Sequence, residues 1–139
     1  PFFVKGGKRM YSYYPSFRLA ASAGVLQEGW IPRYIPDGST ELHEIHNEVN
    51  GSGWITFKFP PSLGKKMVSN FTTLTTQGVQ NLKIPGISDR WWPDILKGKI
   101  GKKKMPGWDF YRTNRSFRGK QRIEFMAVNL IKSEAYVWR

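Results

Sequence analysis

The chain has 139 residues, enough for one domain with one core, and carries 22 Lys plus Arg against 10 Asp plus Glu, a formal net charge of +12. Hydrophobic residues at 40% and aromatic residues at 15% exclude a purely disordered basic tail, and the absence of cysteine excludes disulfides, thiolate nucleophiles and cysteine zinc sites. No stretch approaches the ~20 apolar residues of a membrane-spanning helix, so no membrane insertion is expected, and the charge points to a polyanionic partner.

The first 27 residues hold Lys5, Lys8, Arg9 and Arg18, and no acid precedes Glu28. That composition is like a transit peptide, but Gly6-Gly7, Pro15 and the tyrosines do not suit a presequence helix. The reading is a mature basic arm over about residues 1–15, with Arg9 to Tyr14 as a short strand. Ser16 to Gln27 is ambiguous: one reading has Ser16 capping a helix through Leu19, Ala20 and Leu26, with Gly29 after its end. Pro32 and Pro36 force extended backbone before them.

Residues 42–59 give the clearest local signal. Leu42 to Val49 is followed by Asn50-Gly51-Ser52-Gly53 and then by Trp54 to Phe59, an alternating run with Ile55, Phe57 and Phe59 on one face. Two such runs about an Asn/Gly turn predict a β-hairpin, ended by Pro60-Pro61. Ser62 predicts an N-cap for a helix with Leu63, Met67, Phe71 and Leu74 on one side and Gly78 as its stop. Val79 to Ile84 is read as a strand.

Residues 97–122 hold ten Lys or Arg and one acid, Asp109, so most of the net charge lies here. Gly98, Gly101, Pro106, Gly107 and Gly119 punctuate the segment, which is read as mostly loop. The last segment carries Ile123, Met126, Ala127, Leu130, Ile131, Ala135 and Trp138 at three-four spacing. A helix is favoured, with a strand pair as the alternative. The expected fold is α+β: a small antiparallel sheet built on the 42–59 hairpin, packed with one or two helices, in a single domain over 1–139 with basic extended segments.

Nucleic acids are bound by cations at phosphates and flat side chains at bases. Both kinds interleave in Lys97, Lys99, Lys102, Lys103, Lys104, Trp108, Tyr111, Arg112, Arg115, Arg118, Lys120 and Arg122. Phe110 and Phe117 lie among them, and for any one aromatic core packing is the commoner role. Lys5, Lys8 and Arg9 in the arm, and Lys65 and Lys66 after Gly64, are further candidate phosphate contacts. His43 and His46 sit among Glu41, Glu44 and Glu48. Their spacing is not that of a zinc helix, and on a strand they face opposite sides, so no metal site, catalytic residue or cofactor is expected. Trp91 and Trp92 are adjacent and require two different environments.

The arm and the 97–122 segment resemble ribosomal proteins in character, most of all those of mitochondrial ribosomes. Lys102-Lys103-Lys104-Met105-Pro106-Gly107 is similar to a Gly-Lys-Lys-Met-Pro-Gly stretch of one large-subunit ribosomal family. The resemblance implies a non-catalytic RNA-binding structural protein that contacts rRNA, with neighbouring proteins of a ribonucleoprotein particle as further partners. It implies a mitochondrial location, and a cytoplasmic one stays open. Two alternatives stay open too: a free-standing single-strand binder of an organelle or phage, and an RNA-acting enzyme using the His/Glu cluster.

Overall fold

The computed structural model describes residues 9–139. Lys5 and Lys8, read as phosphate contacts, lie outside the described residues. Strands β1 (Arg9–Ser16), β2 (Thr40–Asn47) and β3 (Gly53–Lys58) follow one another, with helix α1 (Phe17–Ser22) after β1. Helix α2 (Gly64–Val68), strand β4 (Thr72–Thr73), helix α3 (Thr76–Gln80) and strands β5 (Lys83–Ile84) and β6 (Gly98–Lys99) come next. Strands β7 (Trp108–Phe117), β8 (Lys120–Asn129) and β9 (Glu134–Trp138) complete the order. Seven strands form one sheet in the order β1-β2-β3-β9-β8-β7-β4, and β5 pairs with β6 separately. Every pairing is antiparallel.

The expected α+β fold is therefore corrected to a sheet-dominated one with a few short helices. The 42–59 hairpin exists as β2–β3, but it is the middle of a large sheet, because β3 pairs with β9 rather than with a helix. Residues 123–138, favoured as a helix, belong to β8 and β9. The cause is burial on both faces of the sheet: Met126, Ala127 and Val128 are all buried in succession, and so are Ala135 to Trp138. Such strands lose their alternation and imitate helical spacing. Leu130 and Ile131, counted on the apolar helix face, are exposed in the β8–β9 turn, where Asn129 Oδ1 accepts the amides of Ile131 and Lys132.

The 97–122 segment is corrected in the same way. Its second half is the β7–β8 hairpin, and residues 100–107 join β6 to β7 as irregular chain. Ser62 caps nothing with its side chain; α2 has five residues, and Thr72–Thr73 pair with β7 instead of extending it. The start of the strand expected at Val79 is α3, capped by Thr75 Oγ1 on the Gly78 amide at 3.0 Å, and only Lys83–Ile84 is extended. Ser16 does cap α1, accepting from the Leu19 amide at 3.2 Å.

The two faces of the sheet are covered differently. On the front, Leu42, Ile55, Phe57, Met126, Val128 and Val137 pack under residues 17–39 and Met67. On the back, Ile45, Trp54, Phe110, Ala127, Tyr136 and Trp138 pack under a layer drawn from residues 74–105. Trp92 is the keystone of that layer: it is 2% exposed, its Nε1 donates to Leu96 O at 2.8 Å, and its ring meets Tyr136 and Trp138 edge-on. Trp91 is only half-buried and stacks on His43, so the two indoles do occupy different environments.

Candidate nucleic-acid interface

The back layer carries a lysine patch. In the β5–β6 pair, Lys83 and Lys99 stand directly opposite one another, and both are exposed. Like charges in register repel, so this pairing works against the sheet that contains it. Lys102, Lys103 and Lys104 follow within a few residues and are exposed as well. Their loop is tied to the layer by the Ile100 amide on Leu82 O and the Gly101 amide on Gln80 O, each at 3.0 Å. None of these five ammonium groups has an ionic or hydrogen-bonded partner among the described residues. Lys97 differs: its Nζ pairs with Asp94 at 2.9 Å.

The other expected contacts are spread over the molecule. Arg9 lies over the Trp54 ring at 5.0 Å on the edge strand β1. Lys65 and Lys66 are exposed on α2, on the front side, and Arg112 is exposed on β7. Trp108 packs beside Tyr136 in the back core and Tyr111 against the front core, so neither is a free stacking platform. Arg115 grips buried Glu124 with two bonds of 2.9 and 3.0 Å, and Arg122 donates to Asn50 O at 2.6 Å. Arg118 and Lys120 sit at the tip of the β7–β8 hairpin. The expected single surface over 97–122 thus separates into the lysine patch and the hairpin tip, at opposite ends of β7. Lys83 was missed because only the strand register brings it beside Lys99, and nothing local in the sequence marks that.

A polar cluster is buried in the front face. Glu124 accepts from Arg115, from Arg139 at 3.2 Å and from Tyr34 Oη at 3.0 Å. Arg139 has a fully buried side chain that also donates to Gly51 O at 3.1 Å. Gly53 is required beside it, since a Cβ there would lie 2.4 Å from the guanidinium. Glu44 and His46 complete the cluster, with Oε2 and Nδ1 2.8 Å apart and Trp30 stacked on the imidazole at 3.8 Å. Burial pushes the Glu44 carboxyl up to about 8, with Arg139 opposing the rise. Burial also pulls His46 below the usual imidazole range, and Arg139 adds to that. Both shifts favour an uncharged Glu44–His46 pair near pH 7.

His43 faces the back, as strand alternation requires, between Tyr13 and Trp91. It and His46 share no site, and among the described residues no group of His, Asp or Glu is arranged to hold a metal. Among the acids of this run, Glu44 is 2% exposed and is a component of the core.

A family model described as the YbbD head domain matches residues 9–58. The match begins with β1 and ends with β3, leaving the other half of the sheet and the lysine patch outside it. No solved structure matches the chain.

Proposed function

We propose that the chain is a non-catalytic RNA-binding protein whose principal phosphate contact is the lysine patch of Lys83, Lys99, Lys102, Lys103 and Lys104. The observation that carries this reading is the Lys83–Lys99 register pair with its lysine-rich loop, a concentration of charge with no internal counter-ion among the described residues. A polyanion laid across it would relieve the repulsion that the fold alone leaves in place. The ribosomal and mitochondrial setting rests on the resemblance of the basic segments alone. The matched family's description names no ligand, so it bears on neither.

Binding through this patch is electrostatic. If its five lysines each neutralise one phosphate, log affinity for a single strand falls against log salt with a slope of roughly −3 to −4. Replacing Lys102, Lys103 and Lys104 by Ala should flatten the slope by about two units and weaken all sequences alike. A triple variant with unchanged slope and affinity would remove the patch from the interface. RNA recovered intact after incubation with magnesium or manganese is the expected companion result; cleavage lost on changing His46 to Gln would establish an enzyme instead.

A further inference from the structure

The far end of the β7–β8 hairpin has features that the lysine patch does not explain. The hairpin closes through Arg118 and Gly119, both with positive φ, at 51° and 80°. This is the twist a two-residue hairpin turn demands, but an arginine in the left-handed region costs on the order of 1 kcal/mol. The strained position lays the Arg118 guanidinium 4.6 Å over the Trp30 ring. Lys120 and Arg122 lie two residues apart on β8 and so project to the same side. Arg118, Lys120 and Arg122 line one cleft of about 270 Å³, together with Trp30, Glu48 and the β2–β3 loop.

The opposite wall is prebuilt. Asn47 Oδ1 accepts the amides of Val49 and Asn50 at 2.9 and 3.0 Å, and the carbonyls of Asn50 and Gly51 are taken by Arg122 and Arg139. Gly51, at φ 75°, is needed for this approach: a Cβ would stand 2.1 Å from Arg122 Nη1. That Nη1 has no hydrogen-bond partner among the described residues, although it is shut off from bulk solvent. Held against Gly51 and Asn50 O, Arg122 contributes a fixed positive charge behind the cleft, and the exposed Arg118 and Lys120 are the cations that an acceptor-rich anion entering it would meet. Glu48 is the one acid lining the cleft, and its carboxylate is turned toward His46 at 3.9 Å.

We propose that this cleft binds a phosphoryl group, with Arg118 and Lys120 as its direct contacts and Arg122 as the fixed charge behind them. A dianion with three equivalent oxygens suits two guanidiniums and an ammonium better than a carboxylate does. Trp30 and Phe117 are both buried, so the cleft reads the phosphoryl group and offers no free ring for a base to stack upon. The site is separate from the lysine patch: none of Lys83, Lys99 and Lys102 to Lys104 lines the cleft, whose cations follow the far end of β7.

The test titrates the intact chain with inorganic phosphate at constant ionic strength, reading amide shifts of residues 48–51 and 117–122 by NMR. Saturable binding with a Kd of about 1 mM or tighter is expected. Lys120→Glu, an exposed change that leaves the core untouched, should weaken it at least about tenfold, and Arg118→Lys should do the same by removing the fork while keeping the charge. The Lys102, Lys103 and Lys104 to Ala variant should bind phosphate as the parent does. A 5′-phosphorylated oligonucleotide competing better than its 5′-hydroxyl twin identifies a nucleic-acid end as the source; equal competition by the two, with phosphate binding retained, identifies a small phosphoester. Non-saturable shifts, or an affinity untouched by both Lys120→Glu and Arg118→Lys, would overturn the proposal.

Discussion

Glu124 is 1% exposed and is the anion about which Arg115, Arg139 and Tyr34 are arranged. Removing one partner of a buried ionic cluster leaves the rest uncompensated, which costs about 3–5 kcal/mol. Glu124→Ala should lower the unfolding free energy by that amount in urea titration; a loss under about 1 kcal/mol would show that water replaces the carboxylate. Glu44 makes a pH-dependent contribution of the opposite kind. Its folded carboxyl is pushed up to about 8 from an ordinary 4.5, so the folded state holds a proton that the unfolded state releases. Stability therefore falls as pH rises through this window. Below pH 6.5 the depressed His46 works in the other direction, because there the unfolded imidazole gains a proton that the folded one refuses. Between pH 6.5 and 8 the Glu44 loss, facing Arg139 and Glu28, outweighs the remaining gain from His46 and His43, both lowered by burial, and the net fall is about 1 kcal/mol. Thermal midpoints should drop across that interval in the parent and not drop in Glu44→Gln; parallel curves would place the proton elsewhere. Strand alternation put Glu44 and His46 on one side and His43 on the other. What it could not show was Arg139, 95 positions away, arriving opposite Glu44 through the β3–β9 pairing.

Among the elements, the β5–β6 pair is the one whose sequence opposes its own structure. Lys83 and Lys99 face one another across two residues of strand. Reversing one charge should turn repulsion into attraction, worth up to about 1 kcal/mol. Lys99→Glu should therefore raise the thermal midpoint slightly while weakening RNA binding, the usual opposition between stability and a charged binding surface. A variant that loses both, or neither, would separate the register pair from the interface. The legible elements were those whose pattern is local: the β2–β3 hairpin, with its Asn/Gly loop and alternating second strand, and the start of α1 at its Ser16 cap, though that helix ends at Ser22 instead of continuing through Leu26. The elements read wrongly were those whose pattern tertiary contacts set. β8 and β9 are apolar on both sides because a layer covers each face, and β7 hides its alternation under arginines that serve as internal counter-ions as well as surface charge.

At the scale of the whole molecule the sheet is assembled from two halves that are distant in sequence. β1, β2 and β3 come from residues 9–58, while β7, β8 and β9 come from residues 108–138. The halves meet along the β3–β9 ladder, from Trp54 opposite Trp138 to Lys58 opposite Glu134. No local signal announces such a pairing, so a small sheet with helices was the natural expectation and a seven-stranded sheet the outcome. The ladder also decides what the matched segment, residues 9–58, can do alone. Within it, Ile55 and Phe57 lose the front-face partners Met126, Val128 and Val137, and Trp54 loses Trp138 and Trp92 on the back. Glu44 loses Arg139, the cation that offsets its burial. β3 becomes an edge with a Trp, an Ile and a Phe in six residues and one charge, Lys58, a template for pairing with other copies. A chain of residues 9–58 should therefore show no cooperative thermal transition and should self-associate at micromolar concentration, whereas residues 9–139 should unfold in one cooperative step. Adding a separate 108–139 chain should restore solubility by supplying β9 in trans. A dispersed amide spectrum from a monomeric 9–58 chain would show instead that the first three strands carry their own core, and that the β3–β9 ladder joins two preformed halves.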